Sequence, residues 1–286
     1  MNGIWENFIS LNSHIEPAFE TLSAAATHYE ADQRKGWWEK LDYQASLEKD
    51  KFPLPITSDR EGYFGDYHFS YWASGLSDKQ DLLNTANQHG LAVDSFLDFG
   101  CASGRVTRHF GVQHPEIRTY GCDINRLHVE WCNKFLPSSI QTFQNHSIPV
   151  LPLPDDSISM MSAYSVFTHI EAFETSWLME IKRILQPGGI AWITVHTDQT
   201  LKALDKTWPL FNAVQRHPEK NKLLSQTNEF AGDRLVMRYK TDTSYSSNVF
   251  YKKEYLERTW SRFLNVLDFR HRYPRYQDVI ILQKPK

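Results

Sequence analysis

Cysteine, excess basic charge and long apolar runs are all scarce in this chain. It contains only three cysteines, with no Cys-x-x-Cys pair, so we expect neither a disulfide framework nor a cysteine zinc site, and no other metal. The net charge of −3 at pH 7 argues against a general nucleic-acid binder, because such proteins carry a basic field. The start, MNGIWENFIS, lacks a signal-peptide pattern, and no apolar run reaches about 18 residues. We therefore expect a reduced, cytoplasmic protein without a membrane span.

Glycine and proline are also too few, at 13 each among 286 residues, for a low-complexity or collagen-like chain. What is present is an ordinary apolar content of 41% and an unusual aromatic content of 14%, including nine tryptophans. A chain of this length can bury a sizeable core as one large domain or two modest ones.

The first 90 residues differ in pattern from the rest. Residues 1–50 favour helix, and residues 78–89 predict a helix that stops at a glycine. Between them, residues 52–75 combine prolines, glycines and many aromatic side chains, which is typical of an irregular loop. We therefore expect a helical and aromatic cap over residues 1–90.

Strands and helices alternate over residues 91–286, which we expect to form the second domain. The predicted strands are 95–99, 119–123, 140–144, 158–164, 190–196, 263–269 and 278–283. The predicted helices are 105–110, 126–135, 173–185 and 252–263. This alternation predicts a Rossmann-like α/β fold with a seven-stranded sheet and helices on both faces. Apolar residues in 198–248 recur at neither helical nor strand spacing for any length, so we expect a lid-like insertion there.

A glycine-rich turn, Asp98-Phe-Gly-Cys-Ala-Ser-Gly104, follows the first of these strands directly. Glycine allows a tight turn and a close approach of backbone to a ligand, and the following helix offers free N–H groups. Asp123 ends the next strand, where a carboxylate can accept bonds from both ribose hydroxyls. These loops therefore predict a cofactor that contains adenosine. The dinucleotide fingerprint G-x-G-x-x-G is not met, because Ala102 replaces its middle glycine and Arg105 its last.

The motifs together resemble a class I S-adenosylmethionine-dependent methyltransferase. Residues 98–104 are similar to that family's first motif, Asp123 to its acidic residue, and Leu185-Gln-Pro-Gly-Gly189 to its L-x-P-G-G turn. The segments 165–169 and 277–282 resemble a bacterial subgroup of small-molecule and glycan methyltransferases. The resemblance covers residues 93–197 well and 250–283 weakly. Ala102 departs from the motif's central glycine, and we expect it to be tolerated if its φ angle is negative.

The resemblance implies S-adenosylmethionine as the cofactor and a set of residues that hold it. Asp98 would lie near the methionine ammonium, Asp123 would bind the ribose hydroxyls, and Ile124 would pack on adenine. The full implied set is Asp98, Gly100, Cys101, Ala102, Gly104, Asp123, Ile124, Asn145, His146 and Tyr164. Capping or core packing is the structural alternative for several of these side chains.

Two histidines follow predicted strands at the edge of the sheet where substrates bind. His169 comes after the fourth predicted strand and His196 ends the fifth. A hydroxyl acceptor needs a base, for which histidine is the usual choice, so either could take the proton. The alternative for both is a structural histidine held by hydrogen bonds.

Substrate contacts are expected from the aromatic segment and from the residue after the glycine turn. We expect most of these aromatic side chains to pack and one or two to line the acceptor site. The candidates are Tyr67, Tyr71, Trp72 and Arg105. The structural alternative for Arg105 is an exposed residue at the start of a helix.

The leading hypothesis is methyl transfer to oxygen of a small-molecule or glycan acceptor. A nucleic-acid methyltransferase is a second hypothesis, although Ser162-Ala-Tyr-Ser165 stands where amino-methylating enzymes carry an N/D-P-P-Y/F motif. Two further alternatives are a nicotinamide-dependent oxidoreductase and a catalytically inert scaffold that binds the cofactor.

Overall fold

The computed structural model describes residues 24–25, 41–239, 245–273 and 275–286. The strands are β1 (Ala24–Ala25), β2 (Leu54–Pro55), β3 (Ser95–Phe99), β4 (Arg118–Asp123), β5 (Ile140–Gln144), β6 (Ile158–Ala163), β7 (Leu185–Thr197), β8 (Arg234–Arg238), β9 (Ser247–Tyr251), β10 (Asn265–Arg270) and β11 (Asp278–Gln283). The α-helices are α1 (Gln44–Lys49), α2 (His68–Gln88), α3 (Thr107–Gln113), α4 (Arg126–Phe135), α5 (Glu174–Ile184), α6 (Asp198–Lys202), α7 (Phe211–Gln215), α8 (Lys220–Leu223) and α9 (Lys253–Trp260). A 3₁₀ turn covers Ser58–Arg60.

The chain divides into two compact units. The first contains residues 1–150 and 158–161, and the second contains residues 151–157 and 162–286. Strand β6 therefore contributes its first part to one unit and its last two residues to the other. The two-domain boundary expected near residue 90 stays a prediction.

The first unit is built on parallel strands. β3 pairs in parallel with β4, and β4 with β5, so that their carboxyl ends share one edge. Every residue of β3 is buried, as expected for a strand covered on both faces. The bounds predicted for β3, α4 and β5 are confirmed, because short apolar runs between turn residues define them locally.

The loop predicted over residues 52–75 is wrong in its second half. α2 begins at His68, ten residues before the predicted helix start. Residues 68–88 contain no proline, and Phe69, Trp72 and Leu76 recur at helical spacing on a face that is buried. The high aromatic content reflects packing of this helix rather than irregular backbone.

A buried ion pair joins three helices of the first unit. Both side-chain oxygens of Asp50 accept bonds from the fully buried Arg108, at 2.7 and 2.8 Å. Arg108 also donates to the carbonyls of Phe52 and Pro53, and the indole of Trp72 donates to Asp50 at 2.8 Å. The guanidinium thus makes four hydrogen bonds, two of them to its paired carboxylate, and such bonding is what allows a charge to be buried.

The second unit is a mixed sheet with helices. β11 pairs antiparallel with β7 and with β10, while β9 pairs in parallel with the end of β7 and antiparallel with β8. The two closing strands and the preceding helix match the predictions for residues 252–283. Residues 198–248 are more regular than predicted, because they contain α6, α7, α8, β8 and the start of β9. The expected count of seven strands is not confirmed, since this region adds two.

The helix predicted over residues 1–50 is described only at 24–25 and 41–50. Ala24 and Ala25 pair with Pro55 and Leu54 as a two-residue strand where helix was predicted, and α1 is helical. The remaining residues of that prediction lie outside the described residues. Within the described part of the chain, no helix combines the length and apolar character needed to cross a bilayer.

Candidate functional site

The turn between β3 and α3 has three residues in the left-handed region. The φ angles of Gly100, Ala102 and Gly104 are +80°, +45° and +76°. The N–H groups of Gly100 and Cys101 both donate to the carbonyl of Cys122 on β4, at 2.8 and 2.9 Å. A Cβ atom at Gly104 would stand 2.6 Å from the Leu136 side chain, so only glycine fits there. The negative φ angle under which alanine was expected to be tolerated at position 102 is therefore not met.

Asp123 at the end of β4 holds this turn in place. One carboxylate oxygen accepts the N–H of Ala102 at 2.8 Å, and the other accepts the N–H of Asn125 at 2.8 Å. Because each carboxylate oxygen has two lone pairs, both can still accept a ligand hydroxyl. The side chain is about nine-tenths buried and fixed before any ligand arrives.

Asn145 follows β5 and supplies an unpaired acceptor near Asp123. Its backbone N–H donates to the Asp123 carbonyl at 3.1 Å. The residue is only 7% exposed, and its side-chain oxygen Oδ1 lacks a hydrogen bond within the described residues. A buried acceptor without a partner is costly, so this atom suits a ligand N–H. Ile124 is half-buried and His146 is exposed.

Asp98 lies at the base of the same turn. It is 1% exposed, and its Oδ2 accepts a bond from the Thr107 hydroxyl at 2.7 Å. The sulfur of Cys101 is buried and contacts the Ala102 carbonyl at 3.4 Å. A hydrogen bond with the Cys132 thiol, together with burial, raises the pKa of the Cys101 thiol well above its usual value, so this thiol is not a nucleophile at neutral pH.

Sequence reasoning missed three side chains beside Asp123. The carboxylate of Glu61 accepts a bond from the Asn125 side chain at 3.0 Å, and Asn125 caps α4 through Leu127. The imidazole Nδ1 of His128 stands 3.6 Å from Asp123 Oδ1. The polar side chain before a predicted helix could have identified Asn125 as a cap. No local pattern connects Glu61 or His128 with Asp123.

Burial and charge act in opposite directions on His128. Burial lowers the pKa of this imidazole, but the carboxylates of Asp123, Glu61 and Asp59 more than offset burial, so the pKa lies above its usual value. A partly protonated imidazole therefore faces the carboxylate that is predicted to hold the ribose.

The aromatic candidates of the first unit are mostly structural. Trp72 and Tyr71 are buried, and the Tyr71 hydroxyl donates to the Ser103 carbonyl at 3.3 Å. Tyr67 is 38% exposed at the start of α2. Arg105 pairs with Asp78 and donates to the Ser74 hydroxyl. Packing is thus the better interpretation of Tyr71 and Trp72, and Arg105 is held by side chains of α2.

His169 in the second unit is held in one tautomer. Its Nδ1 lies 2.5 Å from the carbonyl of Ser247, and because a carbonyl only accepts, Nδ1 carries the proton. The other ring nitrogen, Nε2, therefore has a free lone pair. Burial lowers the pKa of His169 to about 4, partly offset by the Ser247 carbonyl, so the ring is neutral at pH 7. A neutral imidazole with a free Nε2 lone pair can accept a proton, although its low pKa makes it a weak base.

His196 is the penultimate residue of β7. It lies close enough to His169 for that ring to affect the pKa of His196. Burial, and to a smaller extent His169, lowers the pKa of His196 to about 3. Its ring stacks on Phe250 at a centroid distance of 5.3 Å and meets Trp208 edge-on at 5.3 Å. Its Nδ1 is buried without a hydrogen bond among the described residues. Tyr164, after β6, is half-buried in this unit, and its expected cofactor contact stays a prediction.

Comparison with known proteins connects this geometry with a family. Residues 97–193, about a third of the chain, match the family model described as "Methyltransferase domain". The matched residues include the glycine turn and Asp123.

Two curated relatives are similar over part of the chain. The sterol 24-C-methyltransferase ERG6B of Gibberella zeae is 28% identical over 163 residues, which are 53% of this chain and 42% of that protein. An uncharacterized methyltransferase of Schizosaccharomyces pombe is 26% identical over 106 residues, 34% of this chain and 38% of that protein. The chain therefore spans about two fifths of the length of the curated relatives it matches.

A solved structure shares the fold. An S-adenosylmethionine-dependent methyltransferase from Clostridium acetobutylicum aligns with a TM-score of 0.50 and 14% identity, covering 78% of this chain and 95% of that chain. The fold is thus the α/β Rossmann-like fold of such enzymes. Residues 97–193 thus match a methyltransferase domain, and the cofactor of the similar solved enzyme is S-adenosylmethionine.

The residues of the first unit fit this cofactor. The carboxylate of Asp123 suits two ribose hydroxyls, the orphaned Oδ1 of Asn145 suits an adenine amino group, and the buried charge of Asp98 suits an ammonium. These three acceptors lie at the carboxyl ends or within neighbouring parallel strands, where ligands of this fold class bind.

Proposed function

We propose that this chain transfers a methyl group from S-adenosylmethionine to an oxygen of a small-molecule or glycan acceptor by in-line displacement. When bound, the cofactor supplies a methyl group already activated on a sulfonium. The protein's task is then to hold the cofactor, align the acceptor and take up its proton. The observation that carries the proposal is the ordered set of Asp123, the left-handed glycine turn and the unpaired Asn145.

The cofactor-binding residues act as a preformed cradle. Asp123 holds the ribose hydroxyls, Asn145 accepts from the adenine edge, and Asp98 attracts the methionine ammonium. The turn from Gly100 to Gly104 supplies close backbone approach, since its φ angles keep Cβ atoms away from the ligand side. The resemblance, rather than a contact in the chain, suggests Ile124, His146 and Tyr164.

His169 is the better candidate for the base. Its Nδ1–H is committed to the Ser247 carbonyl, so Nε2 can accept the proton of an acceptor hydroxyl. Its low pKa keeps it unprotonated over the working range, although it also makes His169 a weak base that needs the acceptor to be aligned well. His196 is more deeply buried and is the second candidate.

The acceptor class is supported by charge and by the name of one relative. A sterol methyltransferase acts on a small molecule, and the present chain carries a net charge of −3, which does not attract nucleic acid. Three buried free thiols are consistent with the reduced, cytoplasmic location we propose.

Calorimetric titration with S-adenosylhomocysteine tests the cofactor site. We expect micromolar binding by the wild type, a loss of at least about 100-fold in Asp123→Ala, and no signal with NADH. Asp42→Ala removes an exposed carboxylate elsewhere in the first unit and is the matched control. Absence of binding by the wild type would favour the inert scaffold, and tight NADH binding would favour an oxidoreductase.

Methyl transfer from radiolabelled cofactor tests the reaction. We expect labelled product with sugars, glycolipids or phenols, and a fall in kcat of at least about 100-fold in His169→Gln with unchanged S-adenosylhomocysteine affinity. His196→Gln compares the second candidate. Labelling of bulk tRNA or DNA in place of these acceptors would overturn the acceptor class.

A further inference from the structure

The region between α6 and β9 has its own small apolar core. Its buried members come from helices, loops and both strands of the β8–β9 pair: Leu201, Trp208, Val214, Leu224, Phe230, Leu235, Met237 and Phe250. We call this set the insertion core. Its surface toward β9 is partly aromatic.

Polar atoms without partners lie beside this core. The Asn248 side chain is 5% exposed and the His196 side chain 2% exposed. Asn248 Oδ1 and His196 Nδ1 are buried and make no hydrogen bond within the described residues. Such atoms are rare in folded proteins, and each one calls for a partner.

The register of β9 brings these atoms to one side. Phe250 is the register partner of His196 on β7 and stacks on its ring. Asn248 precedes Phe250 by two residues and so faces the same side of β9. The Asn248 amide is also near enough to Tyr239 to lower that hydroxyl's pKa, against the larger effect of burial, which raises it. A ligand placed on this side would meet both polar atoms and the rings of Phe250 and Trp208.

His169 also contacts β9, through the strand's backbone. The Val249 N–H donates to the Thr168 carbonyl at 2.7 Å, and His169 donates to Ser247. The His169 ring stacks on Tyr245 at a centroid distance of 3.9 Å, and Tyr245 is 44% exposed. The half-buried His169 and Tyr245 therefore provide an aromatic, accessible side next to the buried polar atoms.

Two ion pairs neutralise charged side chains of this region, and the ammonium of Lys252 lies 4.5 Å from the centroid of the Phe230 ring. Lys202 pairs with Glu229 at 2.9 Å, and Arg238 with Glu171 at 2.7 Å. Both histidines are neutral at pH 7 because burial lowers the pKa of each. Asn248 and the two histidines present no charge to a ligand on this side of β9, so burying a charged acceptor against them would be unfavourable. A sugar would bring several hydroxyl groups to this side of β9. Because only a few unpaired protein atoms lie there, most of those hydroxyl groups would be buried without a hydrogen-bond partner.

We propose that the second unit binds an uncharged, planar aromatic acceptor, and that Asn248 selects it by accepting a hydrogen bond from its hydroxyl or ring N–H. The proposal deepens the proposed function and rests on it. It narrows the acceptor from small molecules and glycans to aromatic and heteroaromatic compounds. Asn248 is a specificity-determining residue in this view, and His169 remains the candidate base.

Binding of planar probes in the presence of saturating S-adenosylhomocysteine tests the proposal. The probes are 7-hydroxycoumarin and 2-naphthol, each beside its methyl ether, at a pH where the hydroxyl is protonated, with methyl β-D-glucoside as the sugar. We expect the wild type to bind a hydroxyl probe about 10-fold tighter than its ether. Asn248→Leu, of similar volume, should remove that preference, and Asn248→Ala should do the same.

Controls separate selection from a structural role. Asn221→Leu changes an exposed asparagine of α8 and should keep the preference. Removing an unpaired buried oxygen should leave the melting temperature of Asn248→Leu equal to or above that of the wild type. A structural asparagine would instead lower it.

Each remaining outcome decides between the two proposals. A preference that survives in Asn248→Leu, tighter binding of the glucoside, or no probe binding by a protein that binds S-adenosylhomocysteine would overturn the aromatic acceptor and leave methyl transfer intact. Failure of the wild type to bind S-adenosylhomocysteine would overturn the proposed function itself.

Discussion

Ala102 is the residue at which the glycine turn departs from the family motif, and its backbone explains why the motif has glycine there. A φ of +45° is unfavourable for any residue with a Cβ atom. The conformation persists because the Ala102 N–H is held by Asp123 at 2.8 Å. The turn therefore stores local strain in order to keep a backbone donor on the carboxylate.

Replacing Ala102 with glycine should relieve this strain. We expect Ala102→Gly to raise the free energy of unfolding by about 1 kcal/mol, since the cost of a left-handed alanine exceeds the added chain entropy of glycine. Urea unfolding measures the change. Ala203→Gly, at a φ of −83°, should instead destabilise the protein. A loss of stability in Ala102→Gly would contradict the strain argument.

The raised pKa of His128 predicts a pH-dependent contribution to stability. Because the folded-state pKa lies above the ordinary histidine value of about 6.5, the stabilisation is fully present below that pH and is lost as pH rises through the folded-state pKa. We therefore expect the difference in unfolding free energy between wild type and His128→Gln to be larger at acid than at alkaline pH. Urea titrations across that range would measure it, and a constant difference would refute the pairing with Asp123.

At the scale of elements, the contact between α2 and the chain after the glycine turn depends on a missing side chain. A Cβ atom at Gly75 would stand 1.9 Å from the carbonyl oxygen of Arg105. Glycine inside a helix normally costs about 1 kcal/mol relative to alanine, so its presence in the middle of α2 needs a reason. The close approach of the two backbones is that reason.

Gly75→Ala should therefore destabilise the first unit, although alanine is the better helix former. The oxygen it meets is backbone, which cannot move aside as a flexible side chain would, and we expect a loss of about 2 kcal/mol or more. Asn84→Ala, exposed on the same helix, should be neutral or slightly stabilising. Thermal or urea unfolding compares the two, and equal effects would argue against the close packing.

Element boundaries show how far local pattern reaches. α4 and β5 were predictable to the residue, because capping residues and apolar runs define them within a few positions. The start of α2 and the existence of β8 and β9 were not, because burial against the rest of the fold decides them. Pattern identified the glycine turn in the same way, but not the Asn125–Glu61 contact.

At the scale of the whole molecule, ligand binding should appear as stability. A ligand that binds only the folded state at about 100 times its Kd adds about 2.7 kcal/mol. We expect saturating S-adenosylhomocysteine to raise the melting temperature by about 5 °C. Asp123→Ala should show no rise, and NADH should give none with the wild type. An equal rise in Asp123→Ala would place the cofactor elsewhere.

The sequence by itself predicted the α/β fold and the cofactor. It also indicated the order in which strand, glycine turn and acidic residue follow one another, because each of these features depends on a short contiguous segment. The tertiary structure alone decided which long-range partners tune them. His128 meets Asp123 only because α4 folds back beside β4, and the tautomer of His169 is set by Ser247, 78 positions away. The physical reason is that periodicity reports which face of an element is buried, whereas a hydrogen bond depends on the specific atom that packing brings opposite.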